Sequence, residues 1–273
     1  MPEGPEIRRA AAQLARVLVG RPLTRIEYRL PRLARRARRL AGTGIRRVYT
    51  HGKSLLIEYD CGITHYSHNQ LYGEWHVHVA ARASAEGPSV RVVIATARHR
   101  AELWSATDIE LLRADELARH PFLSRLGPDV FDPALTPAAI AARLVEPRHC
   151  GRSLGALLLD QRFVAGLGNY LRSDILFVAG LRADARPRDL SAPDLLRLSA
   201  AIRTLPRQSF RTGGVTNDVA LARRLRAQGR PFADYRFRVY AREGERCWAC
   251  GSRIRRADAG GRGLFYCPRC QPA

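Results

Sequence analysis

Between Pro5 and Val19 the apolar residues Ile7, Ala10, Leu14, Val17 and Leu18 recur at helical spacing, which predicts one amphipathic helix that Gly20 can end. The pattern then shortens. Leu23–Tyr28, Arg46–Thr50, Ser54–Tyr59, Ile63–His68, Glu74–Val79, Val90–Thr96 and Ala101–Trp104 are brief runs rich in Val, Ile, Tyr and Trp. Runs of this kind at regular intervals predict an antiparallel sandwich or barrel. Within Trp75-His76-Val77-His78-Val79 the alternation puts both histidines on the face opposite Trp75 and the valines. They read as solvated, since a metal pair there lacks a third ligand. His65 and His68, three apart on a strand, point to opposite faces and make poor joint ligands.

After Pro121 the composition changes. Gly127-Pro128-Asp129 and Asp132-Pro133 read as a connection, and helical patterns follow. Thr136-Pro137 opens one helix to about Val145, and Ser153 opens another to about Gln161. Ser191-x-x-Asp194 caps a third that is expected to end before Pro206, with a further helix predicted over Leu171–Val178. Gly166-Leu167-Gly168-Asn169-Tyr170 precedes that helix and is either a phosphate cradle or a plain interhelical turn. Residues 207–232 mix Gly213-Gly214 with Arg223, Arg224, Arg226 and Arg230 and are expected to form a mobile basic loop. Arg32, Arg35, Arg36, Arg38 and Arg39 form a second basic run, read as a solvated or phosphate-facing connection between strands.

Charge narrows the partner. Lys+Arg total 46 against 25 Asp+Glu, a net charge of +21 in 273 residues, and a field of that size draws in polyanions. Nucleic acid is the expected ligand. A coding bias toward arginine would exchange one cation for another but would not create the excess. The longest apolar run, Ala156–Leu159, is far too short to span a bilayer. The acidic start lacks the apolar core of a signal peptide, so a cytoplasmic, nucleoid-associated protein is expected.

Three local features suggest chemistry. Cys247-x2-Cys250 and Cys267-x2-Cys270, separated by sixteen residues, have the spacing of a four-thiolate zinc ribbon. Four thiolates close the tetrahedron, so this zinc would be structural; two disulfides are the competing reading, although nothing else points to an oxidising compartment. Cys61 and Cys150 read as ordinary buried or half-buried thiols. Lys53 is the one lysine in the chain, and a compact ammonium can give up a proton where guanidinium cannot. It could equally be a chance survivor. Finally, removal of Met1 would leave Pro2 as a secondary amine at the mouth of a helix, where the dipole disfavours its protonation. An amine titrating near ~8 is substantially neutral at physiological pH, and its iminium keeps its charge because no N–H remains to be lost. The alternative is a proline that merely starts a helix.

Met1-Pro2-Glu3-Gly4-Pro5-Glu6, the Lys53 segment, Tyr66-Ser67-His68-Asn69-Gln70-Leu71-Tyr72-Gly73, Leu158-Leu159-Asp160-Gln161, Gly166-Leu167-Gly168-Asn169-Tyr170-Leu171-Arg172 and the cysteine-rich end resemble the Fpg/Nei family of DNA glycosylases, most of all its endonuclease VIII branch. The resemblance runs nearly end to end, weakening at the arginine-rich connection and over 207–232. It implies an α+β multidomain protein: an N-terminal helix with an antiparallel β-sandwich over 1–122, a linker over 123–133, a helix-two-turns-helix domain over 134–232, and a zinc-finger hairpin over 233–273.

The resemblance also implies roles. Pro2 would attack the sugar carbon bearing a damaged base, and successive β and δ eliminations would cut the strand on both sides. Glu3 would move protons at the sugar, Glu6 would support it, and Lys53 would contact phosphate and assist protonation. A base inside the duplex must be flipped out to be reached. Gln70, Leu71 and Tyr72 would fill the hole, with Leu71 as the apolar plug. Arg262, in Gly260-Gly261-Arg262-Gly263 at the hairpin tip, would grip flanking phosphates together with Asn169. One structural zinc on Cys247, Cys250, Cys267 and Cys270, damaged double-stranded DNA as partner and a monomeric state complete the expectation. Two other readings stay open: an enzyme of the Fpg branch acting on oxidised purines, whose wedge usually carries a methionine that this chain lacks beyond Met1, and a non-enzymatic zinc-dependent DNA-binding module.

Overall fold

The computed structural model describes residues 2–80 and 89–272, and the chain divides into two units, 1–125 and 126–273. In the first unit, helix α1 (Gly4–Leu18) follows the apolar spacing read above and buries Ile7, Ala11, Leu14, Val17 and Leu18. Gly20, with φ +65°, turns the chain out of it. Eight strands follow: β1 (Leu23–Tyr28), β2 (Ile45–His51), β3 (Ser54–Tyr59), β4 (Ile63–His68), β5 (Glu74–Val79), β6 (Val90–Thr96), β7 (His99–Trp104) and β8 (Asp108–Arg113). They form two antiparallel sheets, ordered β1-β6-β7-β5 and β2-β3-β4-β8. Trp75, Val92, Ile94 and Leu103 of one sheet, Leu55, Ile57, Ile109 and Leu111 of the other, and the apolar face of α1 make one core.

Strand β8 was absent from the sequence expectation, although Ile109 and Leu111 alternate with Asp108 and Glu110 as a half-buried strand should. The arginine run before β2 is largely exposed, as expected, but is not an irregular loop. Residues 31–40 form three short helical turns, and two of the arginines brace the sheet. Arg32 donates to the carbonyls of Ile109 (2.7 Å) and Thr107 (2.9 Å), while Arg36 forms a fork with Glu116 at 2.7 and 2.6 Å. Cys61, expected buried or half-buried, is exposed.

The second unit is helical. Helices of eight residues or more are α2 (Pro137–Leu144), α3 (Asn169–Ala179), α4 (Ala192–Arg211) and α5 (Val219–Ala227). Thr136 caps α2 through Ala139 N (3.1 Å), and Ser191 with Asp194 caps α4. The helix expected from Ser153 is only one turn, Leu154–Leu157. Residues 127–135 join this unit's core through Val130 and Leu135. Gly127 is required there: a Cβ would lie 2.3 Å from the Arg162 carbonyl oxygen.

Two expectations are corrected. Helix α4 does not stop before Pro206 but runs through it to Arg211. A proline inside a helix costs about 3 kcal/mol, which burial of Leu198, Ala201, Ile202 and Leu205 on one continuous face outweighs at roughly 1.5–3 kcal/mol per large side chain. Residues 207–232 are not a loop throughout. They contain the end of α4 and all of α5, whose N-cap Asp218 accepts from Leu221 N at 2.8 Å. Val215, Ala222, Leu225 and Tyr235 close a small core of their own.

After Phe232–Arg236, a short helix, the chain forms the hairpin β9 (Arg255–Asp258) and β10 (Gly263–Tyr266) between the two cysteine pairs. Asp174 on α3 fastens the approach to it. This carboxylate is fully buried and accepts from the amides of Arg238 (3.0 Å), Val239 (3.0 Å) and Tyr240 (3.2 Å) and from the Thr216 hydroxyl.

Candidate active site and DNA-binding groups

The first group lies around the start of α1. Pro2, half-buried, directly precedes the N-cap Glu3, whose extended backbone (φ −110°, ψ −177°) sets up the helix. Glu6 reaches back to accept from Glu3 N at 3.0 Å, so the two carboxylates are tied into one turn. Glu3 is only 4% exposed, which keeps a proton-carrying group away from bulk water. Arg8 donates to Thr50 Oγ1 at 3.4 Å and brings this turn to the end of β2. Three residues beyond Thr50, Lys53 sits in the β2–β3 turn, where Gly52 takes φ +61°. It is 9% exposed, so its ammonium is largely withdrawn from solvent. Burial lowers the pKa of His68, with the Asp108 charge opposing and the Lys53 charge adding to the shift.

The turn after β4 presents the three expected wedge residues outward. Gln70 has φ +50°, its amide donates to His68 Nδ1 (3.2 Å), and its Oε1 accepts from Thr107 Oγ1 (3.0 Å). Leu71 and Tyr72 then stand 59% and 79% exposed, among the most exposed large apolar side chains described. Gly73 closes the turn through its amide to the Asn69 carbonyl at 2.7 Å, and a Cβ there would meet Asn69 backbone atoms at 2.7 and 2.8 Å.

The second group lies in the second unit. Asn169 is the first residue of α3 and donates through Nδ2 to the Gly263 carbonyl at 2.9 Å. That bond joins the helix start to the β9–β10 hairpin, whose tip carries the exposed Arg262. Sequence reasoning overlooked Arg172, although its offset of three from Asn169 on a helix placed both on one face.

The four finger cysteines bring their sulfurs within 4.8 Å of one another and are the one group of three or more potential ligands among the described residues. Zinc–sulfur bonds of about 2.3 Å imply tetrahedral edges of about 3.8 Å. Cys247–Cys270 at 3.9 Å and Cys250–Cys267 at 3.4 Å meet that geometry. The Ser252 hydroxyl and amide hold the Cys250 thiol down to about 6, while burial pushes Cys267 and Cys270 up. Sulfurs crowded this closely become thiolates together only around a cation. The donor set fits zinc and leaves no fifth protein ligand, so the metal is structural.

Three family models match in succession: the formamidopyrimidine-DNA glycosylase N-terminal domain over 1–121, its H2TH domain over 126–220, and the zinc finger found in FPG and IleRS over 244–273. The chain therefore belongs to the Fpg/Nei family, and it is a DNA repair glycosylase and abasic-site lyase with one structural zinc. Among its relatives, the proteins named Endonuclease 8 from Salmonella paratyphi B and Shigella sonnei are each 43% identical over 271 residues, covering 99% of this chain and all of theirs. Lactococcus lactis Fpg solved with abasic-site DNA superposes with a TM-score of 0.80 at 22% identity, covering 99% of this chain and 100% of that one. The same Fpg bound to DNA containing an oxidised pyrimidine gives 0.80 at 22% identity, each chain covered in full. Membership removes the non-enzymatic reading. No helix among the described residues is long and apolar enough to cross a membrane.

Proposed function

We propose that this enzyme acts as a monomer on chromosomal DNA, excises oxidised pyrimidines in preference to oxidised purines, and does so through the Pro2 amine. The observation that carries the reading is the N-terminal turn: Pro2 abuts a helix start whose first carboxylate, Glu3, is almost wholly buried. The full-length relatives named Endonuclease 8 and the absence of a methionine after Met1 favour the pyrimidine side.

The Pro2 nitrogen lone pair forms a bond to the sugar anomeric carbon as the bond to the damaged base breaks, and the proton that the Pro2 nitrogen gives up neutralises the departing base. Glu3 protonates the ring oxygen, the ring opens, and a cationic iminium is left. Loss of a proton from the adjacent carbon then expels the 3′ phosphate, and a second elimination expels the 5′ phosphate. Water finally hydrolyses the iminium and frees Pro2. Glu6 holds Glu3 in place through its amide, and Lys53 supplies a positive charge and a removable proton near the phosphate. Gln70, Leu71 and Tyr72 occupy the space of the flipped nucleotide, a rearrangement costing a few kcal/mol. Asn169 and Arg262 grip the flanking phosphates.

Borohydride trapping on abasic-site DNA tests the nucleophile. Wild type should form a covalent adduct mapped to Pro2, and Pro2→Gly or an uncleaved Met1 should not; an adduct mapped to Lys53 would reassign the role. A panel of duplexes with single oxidised pyrimidines or 8-oxoguanine tests the preference, and faster excision of 8-oxoguanine would place the enzyme with the purine branch.

A further inference from the structure

We infer that Arg172 is the positioning residue that holds Asn169 and Arg262 in a single phosphate-binding register, setting DNA affinity without itself reaching the DNA. This rests on the phosphate-gripping roles proposed for those two residues. Arg172 is 1% exposed, so its guanidinium works inside the protein. One nitrogen, Nη2, donates to Asn169 Oδ1 at 2.6 Å and to the Arg262 carbonyl at 3.4 Å. The other, Nη1, donates to the Ala259 carbonyl at 3.1 Å and the Gly155 carbonyl at 3.5 Å. A single rigid fork thus spans the start of α3, the one-turn helix at Leu154–Leu157 and both sides of the hairpin tip.

Two consequences follow from the chemistry of these groups. A guanidinium only donates, so the Asn169 atom facing it must be the oxygen, which turns the amide nitrogen outward. One N–H of that nitrogen is taken by the Gly263 carbonyl, leaving the second as a donor to an anion. Without Arg172 only the Gly263 carbonyl still holds the amide in this orientation, so the outward N–H is less firmly aimed at a phosphate. The hairpin tip has a similar need. Gly260 and Gly261 both sit at positive φ, +65° and +71°, and carry no side chain to stiffen the turn. A cavity of about 450 Å³ lined by Gly155, Leu159, Arg172, Ala259, Gly260 and Leu264 adjoins it, so packing does not hold the tip from that side. The Ala259 amide closes the tip by donating to the Arg262 carbonyl at 3.0 Å, and the hydrogen bonds from Arg172 to the Ala259 and Arg262 carbonyls tie that closed tip to α3. Lysine, a single point charge, cannot serve these acceptors at once.

The test uses full-length zinc-loaded protein and a duplex containing a tetrahydrofuran abasic analogue, with either native phosphates or neutral methylphosphonates at the two flanking positions. Arg172→Gln is expected to weaken binding to the native duplex by about tenfold, the loss of one charge-assisted hydrogen bond. Arg172→Lys should lose nearly as much despite keeping its charge. Zinc content and the circular dichroism of the native fold should hold, the melting temperature should fall because buried carbonyls lose their donor, and on true abasic-site DNA the lyase KM should rise while kcat stays within about twofold. On the methylphosphonate duplex both variants should bind like wild type, since the contact they orient is gone. Equal losses on the two duplexes, or a normal Kd for Arg172→Gln while Asn169→Ala and Arg262→Ala are weak, would overturn the inference. If Asn169→Ala and Arg262→Ala bind normally, the phosphate-gripping reading itself falls. Should the glutamine variant fail to fold, the lysine variant is judged by the same criteria.

Discussion

Replacing Leu71 with alanine tests the proposal that its side chain fills the space left by a flipped nucleotide. Its side chain is 59% exposed in the free protein and contributes little to the core, so the substitution should leave the melting temperature unchanged. Full burial of a leucine is worth roughly 1.5–3 kcal/mol relative to exposure. With about three-fifths of that surface still open to water, insertion into the base stack should recover about 1–2 kcal/mol, a factor of roughly 5–30 in affinity. The assay is fluorescence anisotropy with two duplexes, one carrying a tetrahydrofuran abasic analogue and one fully paired. Leu71→Ala should lose that factor on the abasic duplex and almost none on the paired one, where the stack is closed. Leu71→Met, which conserves volume, should restore most of it. Equal losses on both duplexes would show that Leu71 serves general binding, and no loss on the abasic duplex would remove it from the wedge.

Three further outcomes are expected. Gly73→Ala puts a Cβ against Asn69 backbone at 2.7 Å, so it should displace the wedge turn and reproduce or exceed the Leu71→Ala binding loss, read by the same anisotropy assay. Burial depresses the His65 pKa to about 3, so its neutral form is favoured in the fold: the contribution is complete above the unfolded value of about 6.5 and drains away as pH falls toward 3. Denaturant unfolding should show the stability gap between wild type and His65→Asn shrinking by about 2 kcal/mol from pH 7 to 5; a constant gap would contradict the assignment. Zinc removal should abolish tight DNA binding before it unfolds the first unit, because the finger's own core is little more than Val239, Ile254, Cys247 and Cys267. Titrating chelator while following affinity and the circular dichroism of the sheets checks the order.

The sequence was most legible where one physical signal acted alone. Ile7, Leu14 and Leu18 define α1 because only a helix puts them on one side, and the cysteine spacing defines the finger because no other element carries that chemistry. It failed where a long-range partner decides. Arg32 and Arg36 look solvated until carbonyls of β8 and the carboxylate of Glu116 just beyond it, about 75–80 residues later, receive them. Pro206 reads as a stop because its own cost is local, whereas the burial that overrides it comes from the surrounding helices. Val215, Ala222, Leu225 and Tyr235 are too sparse among arginines to announce a core, and only the fold shows them together. In the first unit the candidacy of Pro2, Glu3 and Lys53 was readable from their residue types. The role of Arg172 was not, since it depends on carbonyls whose positions no side-chain pattern encodes.

The Asp174 carboxylate, pinned to three successive amides and to Thr216, moors the polypeptide on both sides of α5 to a single point of α3. Everything between those moorings is an excursion whose ends are already fixed, and closing a longer excursion costs little extra, about 0.6 kcal/mol per doubling of its length. The stretch around α5 can therefore be lengthened, shortened or recharged while the finger stays in place.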